Sequence, residues 1–199
     1  MLIGSMVTRK DFNVISDWID EKSKVLDLGC GDGMLLKILR DSKSVSGYGV
    51  DIDTNKIIKA LDNNVDAIHG DINTKLRYFS DKSFDYVILA QSLQVVHDPI
   101  SLIKEMLRIG NEVIISFPNM GYWKSRLHLF LKGEMPITSE LPYTWYDTPN
   151  IHLCTIKDFR KMCNMYDFKI IDEVIDDSHK NYTKTMSNIL GVSAIFKLK

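Results

Sequence analysis

The chain has 199 residues, enough for one domain with a sizeable core, and its hydrophobic share of 45% and charged share of 26% are ordinary for a globular protein. Its formal net charge of -1 gives no bulk electrostatic attraction to nucleic acid or to a membrane surface, so we expect neither as a partner. No apolar run approaches the roughly 18 residues of a membrane span, and the first six residues are too few for the apolar core of a signal peptide. The three cysteines, Cys30, Cys154 and Cys163, show neither metal-ligand spacing nor a disulfide framework, which predicts no metal site and a reducing, cytoplasmic location.

The first predicted element is an amphipathic helix over about residues 8–22. Its apolar side chains recur at helical spacing, at Phe12, Ile15, Trp18 and Ile19. We expect this helix to lie over the glycine-rich loop that follows it or over an edge of the sheet.

The stretch at residues 25–33, Val-Leu-Asp-Leu-Gly-Cys-Gly-Asp-Gly, predicts a buried strand that ends in three glycines and leads into a helix. Glycine accepts a positive φ and lets the backbone approach a ligand closely. The spacing of Gly29, Gly31 and Gly33 is Gly-x-Gly-x-Gly, whereas the dinucleotide fingerprint is Gly-x-Gly-x-x-Gly. A tight turn without a ligand is the alternative interpretation of this loop.

Strands and helices alternate along the next part of the chain, which predicts a parallel, doubly wound sheet with right-handed crossovers. The later strands are predicted at residues 45–50, 65–69, 84–90 and 112–117, and two more at 168–176 and 188–197 form an antiparallel hairpin at the C-terminus. Asp98 and Pro99 suit the start of a helix, and Thr155 with Asp158 makes a capping box for another. We expect one domain over residues 1–199 with an inserted cap at about 119–150.

Polar residues follow the predicted strands at the points where ligands bind in an open α/β sheet, namely Asp51, Asp71, Gln91 and Asn119. Asp51 falls about twenty residues after the glycine loop, where a carboxylate can accept hydrogen bonds from both hydroxyls of a ribose. Asp71 and Ile72 follow the next strand and suit contact with an adenine. The sequence therefore predicts a nucleoside-type ligand.

The sequence shows no obvious catalytic dyad. His152 and Tyr122 are weak candidates for a general base, since histidine has a suitable ordinary pKa, although a structural role for His152 is the main alternative. The aromatic residues of the cap allow three interpretations: a cap that shields its own apolar surface, a protein-binding surface, or a substrate wall. These aromatic residues are Tyr122, Trp123, Tyr143, Trp145 and Tyr146.

Four stretches resemble the class I methyltransferases that depend on S-adenosylmethionine (SAM): residues 25–33, 49–51, 69–71 and 83–87. Further segments at residues 91–96, 116–119 and 141–155 resemble the MetW family of methionine biosynthesis proteins, so that the likeness runs from residue 25 to about residue 172. The resemblance implies a Rossmann-like, mostly parallel seven-stranded sheet, SAM as cofactor, and homoserine O-acetyltransferase as partner. The cofactor-binding residues it implies are Asp27, Gly29, Cys30, Gly31, Gly33, Asp51, Ile52, Asp71, Ile72 and Gln91.

The resemblance gives a pathway rather than a reaction, so two functions stay open. One is a SAM-binding accessory protein of methionine biosynthesis that acts with the acetyltransferase, and the other is a stand-alone methyltransferase of a small molecule. Residues 90–93, Ala-Gln-Ser-Leu, lack the Asn/Asp-Pro-Pro-aromatic tetrad of enzymes that methylate amino groups of nucleic acids or glutamine. An NAD-dependent dehydrogenase is a remote alternative, because a Tyr-x-x-x-Lys match exists at Tyr78 and Lys82 but lies in a predicted loop.

Overall fold

Helices and strands alternate from Lys10 to Pro118 in the computed structural model, which describes residues 9–138, 141–177 and 186–199. The helices are α1 (Lys10–Trp18), α2 (Met34–Lys43), α3 (Thr54–Asp62), α4 (Pro99–Ile109), α5 (Trp123–Lys132), α6 (Ile156–Met165) and α7 (Ser187–Leu190). The strands are β1 (Lys24–Leu28), β2 (Ser46–Asp51), β3 (Ala67–His69), β4 (Phe84–Ala90), β5 (Gly110–Pro118), β6 (Ile170–Asp177) and β7 (Gly191–Leu198). Short 3₁₀ turns lie at Lys75–Tyr78 and Leu93–Val95.

Within the described residues, seven strands form one sheet in the order β3-β2-β1-β4-β5-β7-β6. The first five pair in parallel, and β7 runs antiparallel between β5 and β6. The predicted mostly parallel, doubly wound sheet with an antiparallel C-terminal pair is therefore confirmed. The strand order reverses between β1 and β4, and in open α/β sheets ligands bind beside such a reversal, at the carboxyl ends of the strands.

The sheet is buried on both faces, which explains why its central strands are nearly continuous apolar runs. Alternation along β1 sends Val25 to the face covered by α1 and α2, and Leu26 to the face that carries α4 and α6. Asp27 lies two residues after Val25 in the same strand, so its side chain points to the same face, beneath α1 and α2. A carboxylate in that position is costly unless it has a partner.

Several boundaries differ from the sequence-based expectation: β3 begins two residues later than predicted, β5 two residues earlier and β6 two residues later. Helix α1 ends at Trp18 rather than near residue 22, and Thr8 lies outside the described residues. Strand β7 begins at Gly191 rather than at 188, because the preceding residues form the short helix α7. The carbonyl of Asn188 in that helix accepts a hydrogen bond from the Asn119 side chain. The polar loop expected between the last two strands falls largely at 178–185, outside the described residues.

Helix α5 and the described residues of the loop after it lie in the part of the chain that the sequence predicts to be a cap, at about 119–150. The helix carries its apolar side chains outward: Trp123, Leu127, Phe130 and Leu131 are all exposed. In the loop that follows, Trp145 and Tyr146 are also exposed, and they pack against each other edge to face at 5.6 Å between ring centroids. These side chains do not shield themselves, which argues against the self-covering interpretation of the cap.

Candidate functional site

The glycine loop after β1 is held in a left-handed conformation and tied to the end of β2. Gly29, Gly31 and Gly33 have φ values of +74°, +58° and +74°. The amides of Gly29 and Cys30 both donate to the Val50 carbonyl, at 2.7 and 3.1 Å. The loop therefore has a fixed path beside the strand that ends in the predicted ribose acid.

The three glycines meet different surroundings. A Cβ at Gly29 would lie 2.6 Å from Ser92 Oγ, and one at Gly33 would lie 3.1 Å from Val65, so those two positions are crowded by the protein itself. A Cβ at Gly31 would meet no described atom within 4 Å. Gly31 is thus the glycine whose open side suits the close approach of a ligand.

Cys30 lies in the loop but is not a reactive group. Burial, with the nearby Asp27 and Asp51 carboxylates, raises the pKa of its thiol well above the ordinary value. The side chain also occupies the space beside Gly49, where a Cβ would collide with it. Cys30 is therefore a neutral thiol that fills space at the base of the loop.

Asp51 joins the glycine loop to the ends of β2 and β3. Its Oδ2 accepts from the Gly31 amide at 2.8 Å, and its Oδ1 accepts from the Asp53 amide at 2.9 Å. Its carbonyl accepts from the Gly70 amide at 2.9 Å, which places the end of β3 beside it. The structure thus brings the predicted ribose acid and the glycine loop together.

The predicted adenine residues lie next to Asp51 but are less enclosed. Asp71 is half-buried, and its Oδ1 accepts from both the amide and the side-chain nitrogen of Asn73, at 2.9 and 2.7 Å. Ile72 is partly buried and packs against the core, whereas Ile52 is 66% exposed. Part of the Asp71 carboxylate therefore serves a local turn.

Asp27 is the most unusual group of the site. It is 2% exposed, and its Oδ1 has no hydrogen-bond partner among the described residues. Burial raises the pKa of its carboxyl to about 7, the charges of Asp51 and Asp11 act in the same direction, and Arg9 opposes them. A cation beside Asp27 would restore its ionised form.

The sequence reasoning missed two groups, Asp11 in α1 and Ser116 in β5. Asp11 is buried and accepts from Arg9 Nε and Nη2 at 3.1 and 2.5 Å. Ser116 Oγ, at the end of β5, donates to Asp11 Oδ2 at 3.1 Å. The available signals were an acid beside Phe12 on the apolar side of a helix and a serine within an apolar strand.

The loop after β4 connects this site to the cap. The Gln91 amide donates to the carbonyl and to Oγ of Ser116, both at 3.0 Å, and Gln91 has a positive φ of 54°. The Gln94 side chain donates to the Gln91 carbonyl at 2.8 Å. The Gln94 carbonyl in turn accepts from the amides of Ile151 and His152, at 2.7 and 3.0 Å.

Asn119 lies at the end of β5 as predicted, but its side chain is used to hold the fold. Its Nδ2 donates to the carbonyls of Asn188 and Gly191, at 3.2 and 2.8 Å. Its Oδ1 accepts from the amides of Gly121 and Ile156, at 2.9 and 3.3 Å. Asn119 therefore joins α6, α7 and β7 to the turn before α5 and has little capacity left for a ligand.

The two weak catalytic candidates lie apart. His152 is exposed, with Nε2 at 3.4 Å from the His97 carbonyl, and lines a cavity of about 270 Å³. Tyr122 is buried at the start of α5 and lines another cavity, of about 360 Å³. Pro118 and Leu141 line both cavities, so they stand between the two candidates. His152 and Tyr122 do not form an acid–base pair.

The Tyr-x-x-x-Lys match has a structural explanation. Tyr78 is exposed, and Lys82 Nζ donates to the carbonyls of Leu107 and Gly110 at the end of α4, both at 2.7 Å. Asp98 caps the start of α4 by accepting from the Ser101 amide at 3.0 Å, as predicted. Tyr78 and Lys82 therefore do not form a catalytic pair, and Asp98 serves as a helix cap.

Among residues 9–138, 141–177 and 186–199, no group of three or more His, Cys, Asp or Glu side chains is arranged to hold a metal ion. No helix in that part of the chain has the length and apolar composition needed to cross a membrane.

Comparison with known proteins identifies the family. The family model for "Methionine biosynthesis protein MetW" matches residues 9–198. The "Bifunctional methionine biosynthesis protein MetXA/MetW" of Rhodopirellula baltica is 37% identical over 176 residues, which are 84% of this chain. The matched part is only 28% of that relative's length.

More distant likeness agrees with the fold. The demethylmenaquinone methyltransferase of Listeria welshimeri is 25% identical over 197 residues, covering 88% of this chain and 78% of that protein. A SAM-dependent methyltransferase from Archaeoglobus fulgidus has a TM-score of 0.63 at 15% identity, covering 95% of this chain and 91% of that one. Likeness at this identity shows the fold alone, and it confirms the predicted methyltransferase fold. Because the family model covers nearly the whole chain, this protein belongs to the methionine biosynthesis protein MetW family.

Proposed function

We propose that the rim formed by β1, β2 and β4 binds SAM. The observation that carries this proposal is Asp27, a buried carboxylate whose Oδ1 lacks a hydrogen-bond partner among the described residues. It lies on the strand that leads into the glycine loop, where Gly31 leaves open space. SAM carries an ammonium and a sulfonium, and a cationic ligand is what such a carboxylate needs. The residues present therefore fit the group.

In this proposal each part of the site has a separate task. The backbone at Gly31 lies against the ligand, and Asp51 accepts from the ribose hydroxyls with the lone pairs that its two amide contacts leave. Ile52, Ile72 and Asp71 contact the adenine. Bound SAM supplies an electrophilic methyl group, and catalysis of its transfer depends mainly on positioning and electrostatics.

We further propose that the protein acts with homoserine O-acetyltransferase rather than alone. The relative from Rhodopirellula baltica is described as a bifunctional MetXA/MetW protein, in which a chain similar to this one is part of a longer polypeptide. The cap exposes apolar side chains, including Phe130 at 84% and Trp145 at 74%. Exposed aromatic side chains of this kind are common anchors of protein interfaces.

Calorimetry tests the ligand. Titration with SAM and with S-adenosylhomocysteine should give saturable binding, whereas NADH should give none. Tight binding of NADH without binding of SAM would overturn the proposed site, because the glycine spacing and Asp27 would then have been misread.

Co-purification and titration with homoserine O-acetyltransferase test the partner. Phe130→Ala and Trp145→Ala should each weaken the complex roughly thirtyfold, since truncating an interface anchor commonly costs about 2 kcal/mol. SAM affinity should stay within about threefold, because neither side chain belongs to the proposed SAM site. Tyr78→Ala is the matched control, since Tyr78 is 83% exposed but lies outside the cap. The absence of a complex with the unaltered protein would contradict the accessory function.

A small-molecule methyltransferase is the second candidate. The supporting observation is the cavity of about 270 Å³ beside Gln94, which is lined mainly by apolar side chains such as Leu93, Phe117 and Phe159. Transfer of labelled methyl from SAM to small molecules of a cell extract, without the acetyltransferase present, would favour this candidate. No transfer in that assay, together with a stable complex, would favour the accessory function.

A further inference from the structure

Helix α5 has the reverse of the usual orientation for an amphipathic helix on a protein surface. Its apolar stripe is exposed to solvent. Its polar face lines the cavity of about 360 Å³, which we call the α5 cavity, with Lys124, Ser125 and His128. A surface helix normally turns its apolar side toward the protein and its polar side toward water. The polar face of α5 therefore lacks the water that such a face normally meets, and it needs a polar partner inside the cavity.

Ser125 is the most enclosed of the polar side chains on this face. It is 3% exposed, and its Oγ has no hydrogen-bond partner among the described residues. A serine inside a helix often donates to the carbonyl four residues earlier, but here the Gly121 carbonyl accepts from Arg126 Nε at 2.5 Å. A buried hydroxyl without a partner lowers stability, so Ser125 is a donor that a ligand could use.

The first turn of α5 offers backbone donors at the same place. The Tyr122 side chain does not cap the helix, and the first amide-to-carbonyl bond joins Arg126 to Tyr122 at 3.1 Å. The amides of residues 123–125 precede this bond and have no acceptor among the described residues. Free amides at the start of a helix favour an anion.

The described lining of the α5 cavity combines cationic and apolar groups. Lys124 and His128 lie one turn apart on the helix, and no acidic side chain is among the described residues that line the cavity. The rest of the wall is largely apolar and includes Pro118, Pro136, Ile137, Leu141 and Val192. A molecule that matches this lining has an anionic head and a short apolar body.

We propose that the α5 cavity binds the carboxylate or phosphate group of a small amphiphilic molecule. Ser125 Oγ and the amides of the first turn donate to the anionic head, Lys124 supplies the opposite charge, and His128 donates from its ring. The apolar wall holds the body of the ligand. None of the residues proposed to hold SAM is among the described residues of this lining, so the proposal does not rest on SAM binding.

Three small molecules of one chain length test the site. Hexanoate and hexyl phosphate carry the two anionic heads, and hexanamide is the neutral counterpart. In an NMR titration at constant salt, at least one anion should shift the amide resonances of residues 123–125 in a saturable way. Hexanamide should bind about tenfold more weakly or worse, because it lacks charge-assisted hydrogen bonds. The tighter of the two anions identifies the head group.

Variants of α5 then assign the contacts. Lys124→Gln and Ser125→Ala should each weaken binding of the tighter anion roughly fivefold or more. Ser125→Ala should not lower the urea midpoint of unfolding, because the hydroxyl has no partner in the protein itself. Lys132→Gln is the matched control, since Lys132 carries the same charge in the last turn of the same helix but is not among the lining residues. Its affinity should stay within about twofold.

Four results would overturn the proposal. Equal binding of hexanamide and the anions would show that the cavity is only apolar. Equal losses in Lys124→Gln and Lys132→Gln would show that the anion responds to the general charge of the helix. A lower urea midpoint in Ser125→Ala would show that the hydroxyl serves the fold. The absence of saturable binding by both anions would exclude the site, and none of these results would bear on the proposed SAM site.

Discussion

Replacing Asp27 with asparagine should stabilise the free protein above neutral pH and at the same time weaken SAM binding. The amide has nearly the shape of the carboxyl group and carries no charge, so it avoids the cost of a buried anion. Burial raises the pKa of Asp27 from 3.8 to about 7. A buried carboxylate that destabilises the fold near neutral pH, and that lies at the ligand-binding edge of the sheet, is expected to contact a ligand.

The sign and size of the effect follow from the raised pKa. Between about pH 4 and pH 7 the folded protein holds a proton on Asp27 that the unfolded chain has released, so stability falls as the pH rises through this window. The whole shift of about 3 units corresponds to about 4 kcal/mol, of which about 2–3 kcal/mol falls between about pH 5 and pH 8. Asp11 and Asp51 add to the shift, and Arg9 reduces it.

Urea unfolding of both proteins at about pH 5 and about pH 8 measures this difference. The stability of Asp27→Asn relative to the unaltered protein should rise by about 2–3 kcal/mol between these two conditions. Asp17→Asn removes an exposed carboxylate of α1 and serves as the control, which should show no such rise. Comparing variants cancels the contribution of every other titrating group.

Ligand binding should show the opposite pH dependence. The ammonium of SAM favours the ionised carboxylate, so affinity for the unaltered protein should increase as the pH rises toward 7, and it should level off above. Asp27→Asn should bind weakly and without this dependence. A stability difference that does not change with pH would show that Asp27 is not protonated in the folded protein. Unchanged SAM affinity in Asp27→Asn would refute its role in binding.

Three further predictions concern the loop, the ribose acid and the connection to the cap. Gly31→Ala should lower the free energy of unfolding by about 1 kcal/mol, because alanine disfavours the φ of +58° at this position, and urea unfolding measures this loss. The same variant should lose SAM affinity roughly tenfold or more in calorimetry, because the added Cβ enters the space proposed for the ligand. Asp51→Asn should weaken SAM and methylthioadenosine equally, by about 2 kcal/mol, because the two ligands share the ribose, and unequal losses by calorimetry would contradict a ribose contact. Gln94→Ala removes the side-chain hydrogen bond to the Gln91 carbonyl, and it should therefore reduce the effect of SAM on binding of the acetyltransferase. Titration of the partner with and without SAM measures this effect, and an undiminished effect would exclude Gln94 as the connection between the two sites.

The glycine loop and the doubly wound class of the sheet could be predicted because their signals are local. The apolar strand before Gly29, the glycine spacing and the acid at Asp51 are each complete within a few residues, and the alternation of strands and helices fixes the doubly wound class. The contact between Asp11 and Ser116 could not be predicted, because it joins residues 105 positions apart. Periodicity shows which side of a helix is apolar, but it does not show which strand end a polar neighbour will reach.

The exposure of the side chains of the cap could not be predicted from the sequence either. Trp123, Leu127, Phe130 and Leu131 recur at helical spacing and lie in α5, but the spacing does not show that this apolar stripe faces outward. Spacing records the geometry of one element, whereas burial depends on what other elements cover it. For the same reason, the sequence could not show that Tyr122 and His152 line two different cavities.

A short chain of hydrogen bonds gives the proposed ligand site and the cap a physical connection. The Gln91 amide is bound to Ser116, the Gln94 side chain is bound to Gln91, and the Gln94 carbonyl holds the amides of Ile151 and His152. Ser116 also donates to Asp11 of α1, so this helix is joined to the same chain of contacts. Coupling between two sites is reciprocal, so if SAM changes the affinity for the acetyltransferase by some factor, the acetyltransferase must change the affinity for SAM by the same factor. Because this equality holds for any route, the coupling measured in Gln94→Ala against the unaltered protein is what tests this chain of contacts.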